Sequence, residues 1–235
     1  MGKKRLKLYL LGILAAVGFC CLPARAQAGE GRGQILYYNF EDSNSIVVKD
    51  ASGNGNDAII RSDEESGYQI HTDTIQGVRV QALELPGGRD GAYLELPDDI
   101  LDGETQITVC AWVQMHSSSG YQRIWDFGNG RDSYVYLLTN GGNEGFKGYS
   151  TAITNCGWSE EEGVSKGSDF DRNKWVFTTV TIREDEITLY EDGTVIGKTR
   201  SKVALSDLGG TRQNYFGKSQ FADPHMDGEV AEVAM

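Results

Sequence analysis

The sequence predicts an all-β protein, folded as a two-sheet antiparallel β-sandwich with jelly-roll connections. Its 235 residues include 30 glycines and 4 prolines, and segments of alternating apolar and polar residues recur at short intervals with no long helical period. Alternation with a period of two is typical of strands that bury one face. Many short strands within one long domain favour a sandwich.

The N-terminus has the composition of a secretory signal peptide. Basic residues precede an apolar run from Leu8 to Leu22, and small residues follow at Ala24 and Ala26. The run is shorter than the roughly 20 residues that a membrane-spanning helix needs, so a retained anchor helix is the less favoured interpretation. We predict a secreted, periplasmic or cell-surface protein with no membrane insertion after cleavage, divided into a signal peptide (1–26), a linker (27–34) and one domain (35–235).

The net charge limits the partners. It is −12 for the whole chain, and residues 1–26 carry five basic and no acidic residues, so cleavage would make it −17. Nucleic-acid binding relies on clustered Lys and Arg, which makes a nucleic acid a poor partner. Neutral glycans and divalent cations remain compatible with this charge.

The strand segments can be placed in order along the domain. The clearest unit is a hairpin in which "EDG" (191–193) joins two alternating segments. A polar stretch at 155–173 is the longest segment without strand periodicity, and such loops are often functional. The other predicted strand segments are 34–40, 80–88, 92–99, 105–115, 121–128, 133–142, 173–185, 213–219 and 228–235.

The segment 105–115 illustrates the alternation and contains one of the cysteines. It places Ile107, Val109, Ala111 and Val113 on one face. Export permits a disulfide between Cys110 and Cys156. The other interpretation is that Cys110 is simply a small buried residue of the strand.

Nine motifs occur in order along the chain. They are "YYNFED", "DASGNGNDA", "ALELPGGRDGAYLELP", "ITVCAWVQM", "QRIWDFG", "NKWVFTTVTI", "ITLYEDGTVIG", "YFGKS" and "DGEVAEV". Taken together in this order, they resemble the laminin-G-like jelly roll of the concanavalin A-like lectin/glucanase superfamily, in its bacterial exported form. The resemblance covers nearly all of residues 35–235, and it implies a concanavalin A-like sandwich without settling function.

The family pattern also bears on the end of the domain. In the family the last motif continues as a full strand beside the first one. This sequence ends at Met235, a few residues into that motif. We therefore expect a truncated last strand, in a fragment of a longer protein.

The loop "DASGNGNDA" (50–58) has two interpretations. Glycines and Asn or Asp residues suit a plain turn, because they tolerate positive φ. Calcium is the alternative, because it takes six to eight oxygen ligands from carboxylates, amides and carbonyls. The resemblance implies a structural Ca²⁺ where this loop meets the first and last strands, and it assigns the ligands to Glu41, Asp50, Asn54, Asn56 and Glu232.

Ligand contacts are expected from aromatic and polar side chains near loops, since sugars bind to aromatic surfaces with a few polar groups. Trp158 lies in the long loop, and Tyr121, Tyr149 and Arg123 lie at strand or loop edges. These four are the candidate glycan-binding residues. The other tryptophans fall within strand motifs and are expected in the core.

No catalytic residues are predicted. Retaining glycosidases need two carboxyl groups about 5 Å apart, and the acidic residues of 183–192 cluster at a strand start and a turn, as solvated residues do. We expect a carbohydrate-binding, lectin-like module that accompanies a downstream catalytic domain in a longer polysaccharide-acting protein. A glycoside hydrolase of the same superfamily and an extracellular adhesion or protein-interaction module are the alternatives.

Overall fold

The computed structural model describes residues 33–43, 46–62, 67–142 and 146–235. They form two antiparallel sheets packed face to face, which confirms the predicted sandwich. The predicted signal peptide and residues 27–32 of the predicted linker lie outside the described residues. Within the described ranges, no helix is long and apolar enough to cross a membrane.

One sheet, here called sheet I, has eight strands among the described residues. The strands are β1 (Tyr37–Tyr38), β4 (Gln69–Ile75), β5 (Val78–Gly88), β7 (Gln106–Met115), β12 (Val176–Arg183), β13 (Glu186–Glu191), β14 (Thr194–Arg200) and β16 (His225–Ala234). Their order in the sheet is β14-β13-β12-β7-β16-β5-β4, with β1 also paired to β16.

The other sheet, sheet II, also has eight strands in the described part of the chain. The strands are β2 (Val47–Val48), β3 (Ala58–Arg61), β6 (Tyr93–Glu95), β8 (Arg123–Gly128), β9 (Tyr134–Gly141), β10 (Gly148–Thr154), β11 (Glu162–Ser165) and β15 (Gln213–Phe216). Their order in the sheet is β11-β10-β9-β8-β15-β6-β3-β2.

The main core lies between the sheets and follows the predicted alternation. Ile107, Val109, Ala111 and Val113 of β7 all point into it. The opposite face of β7 is covered as well, since Cys110 and Trp112 belong to a second buried cluster with Phe177. Both faces of this central strand therefore bury apolar surface, which stabilises the sheet by about 25 cal/mol for each Å² removed from water.

The predicted hairpin is present. β13 and β14 pair in antiparallel register, and the connecting residues Asp192 and Gly193 have φ values of 49° and 74°. Two successive positive φ values are typical of the type I′ turn, whose backbone twist matches that of the two strands it connects. The "EDG" prediction is confirmed.

The last strand lies beside the first, as the resemblance implies. β16 spans ten residues, and its end pairs with β1 through Tyr37 opposite Ala234 and Tyr38 opposite Val233. It also lies between β5 and β7.

Two expectations are corrected by the structure. The stretch 155–173 contains a 3₁₀ turn at Trp158–Glu160 and the edge strand β11, so it is only partly irregular. No disulfide joins Cys110 to Cys156. Cys110 is buried in β7 of sheet I, whereas Cys156 is exposed after β10 of sheet II, so the two residues belong to different layers.

Candidate functional site

A pocket lies on the outward face of sheet II. Tyr134, Tyr136 and Leu138 of β9 alternate outward from the core, because every second residue of a strand shares a face. A cavity of about 740 Å³ opens over this face. Its aromatic lining, with which we define the aromatic pocket, consists of Tyr121, Tyr136, Phe146, Trp158 and Phe221.

Polar groups of the pocket come from β8 and from loops. The register of β8 against β9 shifts between Arg123 and Trp125, where a β-bulge adds one residue to β8. Ile124 and Trp125 both face the core as a result. Arg123 and Asp126 consequently lie on the same outward side despite their odd spacing, and their side chains are 3.4 Å apart.

The Arg123 side chain is held rigidly in the floor of the pocket. It is only 4% exposed, and its guanidinium carbon lies 3.8 Å from the centroid of the Tyr136 ring, in a cation–π contact. Nε donates to Asp126 Oδ2, whereas Nη1 has no hydrogen-bond partner among the described residues. A buried donor without a partner is costly unless a ligand or water satisfies it. Arg123 therefore lines the pocket with one donor that no described residue accepts from.

Asp126 lies beneath Arg123 and is fully buried. Oδ2 accepts a hydrogen bond from the backbone amide of Gln220, and Oδ1 has no hydrogen-bond partner in the described part of the structure. Burial raises the pKa of Asp126 to about 7, against the opposing effect of Arg123. The charge beneath Arg123 therefore depends on the protonation of this buried carboxyl.

We expect Asp126→Asn to remove a pH dependence of stability. The pKa of Asp126 is raised on folding from 3.8 to about 7, so its protonated form stabilises the folded state below pH 4, and that stability is lost as the pH rises towards 7. The wild type should lose up to about 1.4 kcal/mol per pH unit in this window relative to the variant. Urea unfolding at pH 4.5, 5.5, 6.5 and 7.5 measures it, and parallel curves for the two proteins would contradict the assignment.

Glu161 joins the long loop to the pocket. Its carboxylate accepts hydrogen bonds from the hydroxyls of Tyr134, at 2.6 Å, and Tyr136, at 2.8 Å. Burial, together with this carboxylate, raises the pKa of both tyrosines. Both phenols stay protonated at neutral pH, so Glu161 fixes two rings of sheet II and brings a negative charge to the pocket wall.

Trp158 is presented to solvent by an anchored turn. The Gly157 amide donates to the Asp132 carbonyl, and the Thr154 hydroxyl donates to the Gly157 carbonyl, which fixes the start of the 3₁₀ turn. Gly157 has φ 83°, which favours glycine. The indole that follows is 66% exposed. The exposed indole lies beside the other rings of the aromatic pocket, and a contiguous exposed apolar surface marks a ligand-binding groove.

Tyr121 forms another wall of the pocket. It is 43% exposed and has a positive φ of 66°. Its amide donates to the Asn140 carbonyl, and a Cβ at Gly142 would overlap the Tyr121 hydroxyl. Glycine at position 142 therefore makes room for this ring.

The structure brings three of the four predicted ligand-binding residues together, namely Tyr121, Arg123 and Trp158. Tyr149 is a correction. It is fully buried between the sheets, where its ring packs against Phe170 and its hydroxyl donates to the Tyr190 carbonyl. The prediction missed Tyr136, Phe146, Glu161, Phe221 and Asp223.

The loop 50–58 closes the start of the domain through hydrogen bonds. Asp50 accepts three from backbone amides, from Tyr37 and Ser52 at Oδ1 and from Asn56 at Oδ2. Asn54 and Asn56 donate their side-chain amides to the Ile35 carbonyl. We call this arrangement the Asp50 clasp. Burial disfavours ionisation of Asp50, but the hydrogen bonds from Ser52, Tyr37 and Asn56 outweigh it and lower its pKa.

The other two predicted calcium ligands are Glu41, which follows β1, and Glu232, which lies on β16. The Tyr37 hydroxyl donates to the Glu232 carboxylate, and burial raises the pKa of Glu232, with Glu41 contributing in the same direction. Asp50 accepts hydrogen bonds from backbone amides, and Asn54 and Asn56 donate through Nδ2, so these groups already hold the loop together by hydrogen bonds. Calcium binding here stays a prediction, which the melting temperature in calcium and in chelator tests.

Residues 87–235, well over half of the chain, match the family model of the Concanavalin A-like lectin/glucanases superfamily, Laminin_G_3. The chain belongs to this superfamily, which confirms the resemblance seen in its motifs. No curated protein sequence matches the chain.

Solved structures share the fold at low sequence identity. Domain 4 of AbnA, an extracellular GH43 arabinanase from Geobacillus stearothermophilus solved with arabinotriose, superposes with a TM-score of 0.67 at 14% identity, covering 86% of this chain and 90% of that one. Botulinum neurotoxin type C, whose cell entry depends on interaction with two ganglioside molecules, superposes with a TM-score of 0.58 at 15% identity, covering 86% of this chain and 47% of that one. Trypanosoma rangeli sialidase in complex with sialic acid superposes with a TM-score of 0.57 at 15% identity, covering 86% of this chain and 30% of that one. This chain thus spans less than half of the toxin and sialidase chains.

Proposed function

We propose that the protein is an exported carbohydrate-binding module and that the aromatic pocket of sheet II is its glycan site. The observation that carries the proposal is a buried Arg123 with an unpartnered Nη1, which lines a cavity walled by aromatic rings. Glycan sites combine apolar, aromatic surfaces with a few fixed polar groups. The fold supports the same conclusion, since an arabinanase domain solved with arabinotriose shares it.

The pocket offers distinct roles for its side chains. The exposed face of Trp158 and the ring of Tyr121 provide flat surfaces for the C–H face of a sugar. Arg123 donates hydrogen bonds to hydroxyl or carboxylate oxygens, while Glu161 and Asp223 accept them from sugar hydroxyls. Arg123, Tyr136 and Glu161 are held by their own contacts before any ligand arrives, so little conformational entropy is lost on binding.

The experiment is affinity electrophoresis of the protein in native gels that contain a panel of polysaccharides. The panel includes arabinan, other plant and algal glycans, and sialylated host glycans. Retardation by one glycan without a fall in polymer length supports a binding module. Retardation that depends on calcium would connect the predicted ion to the ligand, whereas retardation by none of them contradicts the proposal.

The same gels separate the alternatives. Release of reducing ends from a retarding glycan would favour a glycoside hydrolase, for which Glu161, Asp223 and Asp126 are the carboxyl groups to substitute first.

We further propose that the module accompanies a downstream catalytic domain and is exported by its signal peptide. N-terminal sequencing of the protein from its producing cell tests cleavage at residue 26. Absence of glycan binding, with capture by a cell-surface protein, would favour the adhesion module.

A further inference from the structure

A second group of chemistry-bearing side chains lies on the outward face of sheet I, on the other layer from the aromatic pocket. His71, Asp73 and Glu229 each offer one ligand atom, and these three atoms lie within 4.8 Å of one another. His71 and Asp73 are on the edge strand β4, and Glu229 is on β16, with β5 between them. The proposed glycan site uses none of these residues.

Glu229 is the central residue of this cluster. Its side chain is 8% exposed, and Oε1 accepts hydrogen bonds from Gln114 at 3.1 Å and from His116 at 3.0 Å. Oε2 has no hydrogen-bond partner among the described residues. A buried carboxylate oxygen without a donor is costly, so this atom calls for a cation or a ligand proton.

The His71 imidazole faces that oxygen. Its Nε2 lies 3.2 Å from Glu229 Oε2, within ion-pair distance for a protonated imidazole, although the two atoms do not form a hydrogen bond. Two ligands of a tetrahedral Zn²⁺ ion, each at about 2.0 Å, are separated by roughly 3.3 Å. The distance between His71 Nε2 and Glu229 Oε2 agrees with this ligand–ligand separation within about 0.1 Å. The His71 side chain is 35% exposed, so the cluster lies at the surface of sheet I.

Outer residues hold the ligands in place, as they do in established metal sites. The Trp175 indole donates to Asp73 Oδ2 at 2.8 Å. His116 and Gln114 orient Glu229, and His116 is itself 3.7 Å from Asp227. This outer shell directs Oε2 of Glu229 towards His71.

We propose that His71, Asp73 and Glu229 form a binding site for a divalent transition-metal ion. One imidazole and two carboxylates are donors that Zn²⁺ accepts. The ion would tie the edge strand β4 to β16 across β5, so its role is structural. Hard cations such as Ca²⁺ take six to eight oxygen ligands and fit this small mixed set less well.

The experiment is isothermal titration of the untagged, chelator-treated protein with ZnCl₂ in the presence of millimolar CaCl₂. We expect one Zn²⁺ per chain, a Kd below about 10 μM, and a rise in melting temperature, because the ion binds the folded state. His71→Ala should abolish both effects, and His116→Ala should weaken binding about 10–100-fold by releasing Glu229.

The control is Glu186→Gln, an exposed carboxylate of sheet I on β13, which should leave zinc binding unchanged. Because the His71 side chain is partly exposed on an edge strand, His71→Ala should fold normally, which circular dichroism checks. The proposal is overturned if the wild type binds no zinc, or if His71→Ala binds it as tightly as the wild type.

Discussion

Asp50→Ala is expected to lower the free energy of unfolding by about 3 kcal/mol. The substitution leaves the amides of Tyr37, Ser52 and Asn56 without their acceptor, and each hydrogen bond to a charged group contributes about 1 kcal/mol or more. At 2–4 °C per kcal/mol for a domain of this size, the melting temperature should fall by about 6–12 °C. Differential scanning calorimetry and urea unfolding measure both quantities.

The matched control is Asp102→Ala, which removes an exposed carboxylate from a turn and should change stability by less than about 0.5 kcal/mol.

The lowered pKa of Asp50 also predicts that acid destabilises the protein. The pKa of this carboxyl is lowered on folding, so its contribution is complete above pH 3.8 and is lost as the pH falls through the lower folded value. Equal stability of the two variants at neutral pH would show that the clasp contributes nothing.

Trp158→Ala is expected to weaken glycan binding at least tenfold, on the glycan that the panel identifies. Central aromatic residues of binding sites typically contribute 2 kcal/mol or more, and 1.4 kcal/mol corresponds to a factor of ten. Because the side chain is 66% exposed, the melting temperature should stay the same. The loss would then be one of binding and not of folding, as titration calorimetry on the same samples would establish.

Two further variants frame this result. Trp158→Phe retains a flat ring and should recover much of the affinity. Val195→Ala truncates another exposed apolar side chain, 52% exposed on the edge strand β14, and should bind as the wild type does. Wild-type affinity in Trp158→Ala would remove the indole from the site and with it the main wall of the proposed pocket.

Much of the fold follows from local patterns. The alternation in 105–115 and the "EDG" turn predict β7 and the β13–β14 hairpin, because strand period and turn chemistry are properties of neighbouring residues. β4 and β10 are among the strands that these patterns miss. "GYSTAIT" of β10 mixes small and polar residues that are all buried, so its sequence carries little contrast between its two faces.

The site was predicted only where one residue was conspicuous by itself. Trp158 and Arg123 could be selected as an aromatic in a loop and a cation at a strand start. Glu161 could not be, since its role depends on two tyrosines 25 and 27 residues away. Tyr149 was misplaced because the orientation of β10 decides whether its ring faces the core, and sequence proximity to the pocket does not.

The contrast between Trp158 and the other three tryptophans makes the protein its own optical probe. Trp125 is 1% and Trp112 8% exposed, and the Trp175 indole is hydrogen-bonded to Asp73, so water surrounds Trp158 far more than the rest. The red edge of the fluorescence spectrum, and the fraction that iodide quenches, therefore come mainly from the pocket. If the proposed glycan covers Trp158, that emission should shift to the blue, so binding could be followed without a label.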